Sequence, residues 1–335
     1  MQEALISILT PFKNTEAYLT DCINSVFNQT YKNWEMILVD DFSTDVSYHL
    51  VNQFVQKDSR IKLFKNENEG IIGALQLAFK QSQGSYITRM DSDDIMHEQK
   101  LEILANNLLK NNKKHISIGL VRYFSDDAIG DGYRKYENWL NKLTKSGSNF
   151  TEIYKECVIP SPCWMIHKDD LIAADAFNPN RYPEDYDLTF RFYEQGYKCI
   201  PCDKVLHYWR DYPTRSSRTH EHYALNYFLD IKMLYFLKLD YDASRPLVVW
   251  GAGFKGKTIA KTLIENKIPF NWICNNPKKI GKKIYKQTML EFTHIEELNN
   301  PQSIISVANA KAQTYIKNYM QKLNKEHMKD YFFFC

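Results

Sequence analysis

The chain has 335 residues, of which 44% are hydrophobic and 25% charged, a composition typical of a globular protein and a length that favours two domains. Its 43 lysines and arginines against 40 acidic residues leave a net charge of +3, which argues against nucleic acid as a partner. Seven scattered cysteines, and no apolar run near the roughly 20 residues of a membrane span, favour a cytoplasmic location. The basic run at residues 277–283 is either a solvated face or a peripheral contact with the inner face of the membrane, and we favour the solvated face.

Apolar, strand-like segments alternate with segments of helical period along the first hundred residues. The predicted strands are residues 5–9, 35–39, 61–64 and 85–90. The predicted helices are a first one with apolar positions from Leu19 to Phe27, followed by residues 46–55, 71–79 and 98–109. This alternation is typical of a parallel sheet covered by helices.

The second half of the chain continues in the same way after an interruption. Residues 125–149 are rich in Asp, Gly, Lys and Ser, which predicts a mobile insertion or the approach to an acceptor site. Helices are then predicted at residues 186–195 and 222–239, and the second of them closes a first domain of residues 1–240. A strand at residues 247–250 opens a small second domain, residues 246–335.

Two groups of carboxylates come directly after predicted strands. Asp40 and Asp41 follow the second strand, and Asp91, Asp93 and Asp94 follow the fourth. Because ligands bind beyond the carboxyl ends of parallel strands, both groups are expected at one crevice. Carboxylates that repel one another favour a hard cation or a hydrogen-bonded polar ligand, and the spacing of Asp91 and Asp93 lets both reach Mn²⁺ or Mg²⁺. The alternative for Asp94 is a cap of the helix at residues 98–109.

Around these carboxylates the sequence resembles family 2 glycosyltransferases with the GT-A fold. The resemblance covers about the first 240 residues and joins ordered motifs. They are Thr10-Pro11-Phe12-Lys13-Asn14, Asp40-Asp41, Asn68-Glu69-Gly70, Arg89-Met90-Asp91-Ser92-Asp93-Asp94 and Pro183-Glu184-Asp185. The implied fold is α/β, an open mixed sheet flanked by helices, with the small C-terminal domain as a Rossmann-like addition.

The resemblance implies a role for each matching position on the donor side of the site. Pro11 and Asp41 would hold the nucleoside, and Arg89 would contact the donor near its sugar or phosphates. Asp91 would orient the ribose or the donor sugar. Asp93 would bind the metal ion that bridges the diphosphate, with Asp91 as a second carboxylate near the ion.

The resemblance also implies that Asp185 is the general base, whereas the alternative from the residues alone is an exposed cap of the helix at residues 186–195. A basic segment, residues 210–220, is expected near the diphosphate. His207 and His220 are both candidates for completing the metal shell, and their spacing does not choose between them. For each of them a structural histidine with satisfied hydrogen bonds is the alternative.

A second motif lies in the C-terminal domain. Gly251, Gly253 and Gly256 follow a predicted strand and precede a predicted helix, which is the setting of a dinucleotide-binding fingerprint. The next strand, however, is followed by Asn275 and Asn276, where an acidic residue normally binds the ribose. NAD is therefore not expected, and a structural, docking or ligand-sensing role remains open.

These observations predict a metal-dependent, inverting glycosyltransferase that uses a nucleotide-diphosphate sugar, with UDP-sugars favoured. The acceptor would be a hydroxyl of a glycan or glycolipid in surface polysaccharide synthesis, and the oligomeric state is left open. A sugar nucleotidyltransferase is one alternative, but it would need a glycine-rich loop after the first strand, where this chain has residues 10–13, Thr-Pro-Phe-Lys. Another alternative is an NAD-linked enzyme centred on Gly251, but it leaves the acidic clusters unexplained. The last is a sugar-binding module without catalysis, against which Asp93 and Asp185 argue.

Overall fold

The computed structural model describes residues 3–111, 113–126, 128–215, 218 and 228–335. The chain divides into two compact units. The first contains Met1–Phe150 and Val158–Arg215, and the second contains Thr151–Cys157 and Ser216–Cys335. The helix that the sequence analysis placed at the end of the first domain therefore lies in the second unit.

A seven-stranded mixed sheet forms the centre of the first unit, beside a three-stranded sheet. The strands are β1 (Ile6–Phe12), β2 (Trp34–Asp40), β3 (Ile61–Lys65), β4 (Tyr86–Arg89), β5 (Ile95–Met96), β6 (His115–Ile118), β7 (Leu120–Phe124), β8 (Trp164–His167), β9 (Lys198–Ile200) and β10 (Val205–Arg210). The large sheet has the order β3-β2-β1-β4-β8-β6-β9, and the small one β5-β10-β7. Strands β1 to β4 are parallel, whereas β8 runs antiparallel to β4 and β6.

Helices flank this sheet as the sequence predicts. They are α1 (Leu19–Phe27), α2 (Ser47–Val55), α3 (Ile71–Gln81), α4 (Lys100–Leu109), α5 (Asp131–Ser146), α6 (Lys168–Ala173) and α7 (Glu184–Glu194). Both β1 and β2 are buried along their whole length, which explains why most of their residues are apolar. Helix α1 buries the stripe that its period indicates, including Leu19, Ile23 and Val26.

Residues 125–149, for which the sequence predicts a mobile insertion or the approach to an acceptor site and no regular element, contain α5, which spans 16 of them. Leu140 and Leu143 are buried, and Gly147 ends the helix with a φ of 67°. The Asn141 amide hydrogen-bonds both the backbone N–H and the carbonyl of Val121 in β7, at 2.9 and 2.8 Å. The apolar stripe is narrow, so the polar composition hid the helical period.

The second unit is built on a six-stranded sheet. Its strands are β11 (Leu247–Trp250), β12 (Asn271–Cys274), β13 (Lys283–Ile284), β14 (Gln287–Glu291), β15 (Gln302–Ile305) and β16 (Tyr331–Phe333), and its helices are α8 (Leu229–Leu239), α9 (Phe254–Glu265) and α10 (Ala310–Lys322). The order is β13-β14-β12-β11-β15-β16, with all neighbours parallel except β13 and β14. The chain thus steps outward from β11 through β12 to β14 and then restarts on the other side with β15, which is the strand order of Rossmann-type sheets.

The core of this sheet contains Val248, Trp250, Ile273 and Phe333. Helix α8 is the described part of the helix predicted at residues 222–239; the rest of that prediction lies outside the described residues. Within the described part of the chain, no helix combines the length and apolarity that crossing a bilayer requires.

Candidate active site

Asp41 is fixed at the carboxyl edge of the large sheet, directly after β2. Its backbone N–H donates to the carbonyl of Phe12 at 2.8 Å. Its Oδ1 accepts from the Asn66 side chain at 2.7 Å and from the Gly70 N–H at 2.8 Å. Gly70 has a φ of 114°, a conformation that favours glycine, so the loop can close onto the carboxylate. Pro11 lies buried one residue before the end of the neighbouring strand β1, so these two predicted donor residues share the same edge.

Arg89 joins two parts of the predicted site that are far apart in sequence. It ends β4 and is only 5% exposed. Its Nε donates to Asp91 Oδ1 at 3.0 Å, and its Nη1 donates to Glu184 Oε1 at 2.8 Å. Burial works against the charge, but Asp91 and Glu184 outweigh it and raise the pKa of Arg89. The segment after β4 and the first turn of α7 are therefore both bound to the buried guanidinium group of Arg89.

Asp185, the predicted base, is the second residue of α7 and is partly exposed. Its Oδ1 accepts the N–H of Tyr186 at 2.7 Å, but α7 begins at Glu184 after the N-cap Pro183, so Asp185 lies inside the first turn and does not cap the helix. Desolvation raises the pKa of Asp185, the charge of Glu184 raises it further, and Arg89 opposes both. The carboxyl group thus holds a proton more readily than an ordinary aspartate.

Asp93 is held by the last residue of β10 and by a residue of the loop that follows it. The Tyr212 hydroxyl donates to Asp93 Oδ2 at 2.8 Å, and Arg210 Nε donates to the Asp93 carbonyl at 2.9 Å. Burial raises the pKa of Asp93 to about 7, and the neighbouring Asp94 adds to the effect, while the charge of Arg215 opposes it. Asp93 is therefore a desolvated acid in a negatively charged setting.

Asp94 belongs to a buried chain of three polar side chains, all 0% exposed, with His207 and Lys100. Lys100 Nζ lies 3.3 Å from His207 Nδ1, and His207 Nε2 lies 2.8 Å from Asp94 Oδ2. Asp94 Oδ1 also accepts the backbone N–H of Arg210 at 2.8 Å. Asp94 therefore ties its loop to β10 and does not cap α4, which begins at Lys100, so the capping alternative for Asp94 is wrong.

The two histidine candidates for the metal shell have different outcomes. Both ring nitrogens of His207 are engaged within the buried chain of Asp94 and Lys100. Burial and the charge of Lys100 lower the pKa of His207 well below its ordinary value, so the ring is neutral and structural. His220 lies outside the described residues.

The carboxylates fit a divalent cation that takes part of its shell from a ligand. Among the described residues, no group of three or more histidine, cysteine or acidic side chains is arranged to hold a metal. Mg²⁺ commonly uses one or two carboxylates together with substrate phosphates, which is what Asp91 and Asp93 offer. The raised pKa of Asp93 also indicates a negatively charged site, in which a bound cation would reduce the repulsion among the carboxylates.

Several residues that hold the site were missed from the sequence. Asn66 follows β3 as Asp41 follows β2, so its place after a strand was a usable signal. Tyr212 lies inside the basic segment that the sequence singled out, but nothing local indicates that its hydroxyl reaches Asp93. Lys100 gives no signal, because a lysine at the start of a helix is ordinarily exposed.

Comparisons with known proteins identify the family of the chain and its fold. The model of the family described as glycosyl transferase family 2 matches residues 7–173. GlyG from Streptococcus pneumoniae is 37% identical over 218 residues, covering 62% of this chain and 70% of GlyG. The chain belongs to glycosyl transferase family 2. Another relative, the Escherichia coli UDP-Glc:alpha-D-GlcNAc-diphosphoundecaprenol beta-1,3-glucosyltransferase WfgD, is 34% identical over 174 residues, covering 51% of this chain and 68% of WfgD.

The solved structure of Staphylococcus aureus TarS residues 1–349 with UDP-GlcNAc superposes with a TM-score of 0.55 at 19% identity, covering 78% of this family 2 chain and 72% of TarS. At that identity the likeness shows the fold, and it confirms the predicted GT-A fold. The chain spans only part of other relatives: a stretch that is 45% identical to a Haemophilus influenzae glycosyltransferase covers 45% of that protein.

Proposed function

We propose that this family 2 glycosyltransferase moves a sugar from a nucleoside diphosphate donor to a hydroxyl group of an acceptor, with inversion at the anomeric carbon. The observation that carries the proposal is the position of Arg89. It binds Asp91 after β4 and Glu184 in α7, directly before Asp185. Arg89 thereby connects the segment of Asp91, which is suited to the donor diphosphate, with the turn of Asp185, which is suited to proton transfer.

On the donor side, Pro11 and Asp41 bind the nucleoside. The Asp41 carboxylate is already oriented by Asn66 and Gly70, so it accepts a hydrogen bond from the base or ribose without first having to be ordered. Arg89 keeps Asp91 directed at the donor. UDP-sugars are the favoured donors, since the WfgD relative is named for UDP-glucose and the TarS structure contains UDP-GlcNAc.

A divalent cation, Mn²⁺ or Mg²⁺, bound by Asp91 and Asp93 would supply positive charge against the negative charge that develops on the departing diphosphate. The chain positions these ligands itself: Tyr212 and Arg210 hold Asp93, and Arg89 holds Asp91. Their geometry is therefore set by side chains from β4, β10 and the loop after it.

Asp185 acts as the base. It accepts the proton of the acceptor hydroxyl as that oxygen attacks the anomeric carbon and the bond to the diphosphate breaks. A carboxylate with a raised pKa is a better proton acceptor near neutral pH than an ordinary aspartate. One base and one displacement on opposite faces of the sugar give inversion.

For the acceptor, we propose a lipid-linked glycan used in surface polysaccharide synthesis, reached from the cytoplasmic face of the membrane. This assignment is supported by the WfgD relative, which is named for an acceptor carried on diphosphoundecaprenol. A hydroxyl of such a glycan provides the proton that Asp185 is placed to remove.

Two substitutions test the roles separately. Asp93→Ala should abolish transfer and the Mn²⁺-dependent part of UDP-glucose binding measured by calorimetry. Asp185→Asn should leave that binding intact and lower kcat by about 10² to 10⁴, the usual contribution of a general base. Asp169→Asn serves as the control, because its side chain is 77% exposed on α6 and pairs only with the surface residue Lys113 in the described ion pairs.

The outcomes separate the two assignments. Unchanged Mn²⁺-dependent binding in Asp93→Ala would remove the metal role while leaving the base role open to its own test. Normal turnover in Asp185→Asn would remove the base role. If UDP-glucose gives no binding, repetition with GDP-mannose and dTDP-glucose identifies the nucleotide, and no binding of any of them would overturn the donor assignment.

A further inference from the structure

The second unit contains a cavity that the proposed glycosyl transfer does not use. Its volume is about 590 Å³, within the range of small-molecule sites. It lies beyond the carboxyl ends of β11, β12 and β15, and its lining includes Gly251, Asn275 and Val307, which follow these three strands. In this sheet the chain leaves β11 to one side for β12 and later returns to the other side as β15. Open parallel sheets bind ligands at such a switch in strand order.

The three glycines of the loop between β11 and α9 meet three different constraints. Gly251 has a φ of 130°, as a tight turn requires, and Gly256 packs so closely that an added Cβ would lie 2.2 Å from the Gly251 carbonyl oxygen. At Gly253 an added Cβ would meet no atom within 4 Å, and this residue lines the cavity. A tight turn, an open approach and a close helix contact are the constraints that the three glycines meet in diphosphate-binding loops.

The polar groups of the cavity favour an anionic ligand. Trp250 Nε1 donates to Asn275 Oδ1 at 2.6 Å, which uses the amide oxygen and leaves the amide nitrogen as the donor available to a ligand. Lys279 Nζ donates to the Ala252 carbonyl at 2.7 Å and places a positive charge beside the glycine loop. Among the described residues that line the cavity there is no carboxylate. These groups therefore favour a ligand that presents hydrogen-bond acceptors and negative charge.

We infer that this cavity is a second nucleotide site, which binds a nucleoside diphosphate group on the glycine loop at Gly253. The donors at Asn275 and Lys279 suit a phosphorylated ribose better than a free ribose diol, because the diol is normally bound by a carboxylate. Within this chemistry NADP⁺ should bind more tightly than NAD⁺. The inference concerns binding alone and does not depend on the proposed glycosyl transfer.

The test is calorimetry of the full chain without divalent cation, with NADP⁺, NAD⁺ and UDP as separate ligands. Gly253→Asp is the decisive variant, because Asp is a favourable residue at the start of a helix while its charge faces the phosphate. Binding should weaken about fivefold or more, the effect of a like charge in water-like surroundings. Gly132→Asp is the matched control, since that glycine is also open to solvent, lies in the first turn of α5 and belongs to the first unit.

Each outcome has a defined meaning. Binding of NADP⁺ that Gly253→Asp weakens, and that exceeds NAD⁺ binding, supports the inference with a dinucleotide as the ligand. Binding of UDP alone, weakened by Gly253→Asp, supports the diphosphate site with the donor nucleotide as the ligand. No binding of any of the three, or binding that Gly253→Asp and Gly132→Asp leave equal, overturns it. An unchanged melting temperature confirms that Gly253→Asp is folded.

Discussion

Lys100→Met removes one end of the buried chain that connects Lys100, His207 and Asp94. The methionine side chain fills roughly the volume of the lysine methylene chain, so the substitution leaves little cavity and the packing loss is small. The lost ammonium leaves the Pro162 carbonyl without its donor and removes a positive charge that, together with the larger effect of Arg215, lowers the pKa of Asp94. Breaking a buried charged network by deleting one partner costs about 3 to 5 kcal/mol, and we expect that loss in the free energy of unfolding at pH 8.

The loss should depend on pH in a definite direction. Burial raises the pKa of Asp94 in the folded state, so its carboxyl group is neutral at low pH and charged at high pH. The charge of Lys100 compensates Asp94 only when Asp94 is ionised. The loss in the free energy of unfolding should therefore become smaller as the pH falls from 8 toward 5. Urea unfolding followed by circular dichroism measures it, with Lys110→Met at the exposed end of α4 as the control. A loss below about 1 kcal/mol at pH 8, or one independent of pH, would refute this reasoning.

Three further predictions concern the carboxylates and the glycine loop. Glu184→Gln removes a charge that raises the pKa of Asp185, so the acid limb of the kcat profile should move to lower pH, while the exposed Glu194→Gln on the same helix leaves it in place. Mn²⁺ should raise the melting temperature more at pH 8 than at pH 6, because Asp93 has a pKa of about 7 and protons compete with the ion below that value; equal shifts would contradict the site. Gly256→Ala should destabilise the second unit by about 1 to 3 kcal/mol in urea unfolding, since its Cβ would lie 2.2 Å from a backbone oxygen, and a neutral effect would contradict the packing.

The parts of the fold that the sequence predicts well are those with one strong local signal. Strands β1 and β2 are mostly apolar because both faces are covered, and α1 shows a clear helical period. Helix α5 was missed because its surface is mostly polar, and the docking of Asn141 against β7 is a contact between elements that no local pattern reveals.

The candidate site divides in the same way. Asp41, Asp91 and Asp93 were found because each follows a predicted strand, and Asp185 because its motif resembles that of a family. The residues that hold them in place come from distant segments: Tyr212 reaches Asp93 across more than a hundred residues. Such partners are chosen by the packed fold, so they become visible only in three dimensions.

Because Arg89 binds both Asp91 and Glu184, the donor side and the base side of the proposed site are coupled through one side chain. A shift of α7 that accommodates a new acceptor would also displace Arg89 and, through it, Asp91 on the proposed donor side. Diversification of acceptors is therefore expected in segments away from the first turn of α7, with that turn retained as a fixed anchor while the surrounding surface varies.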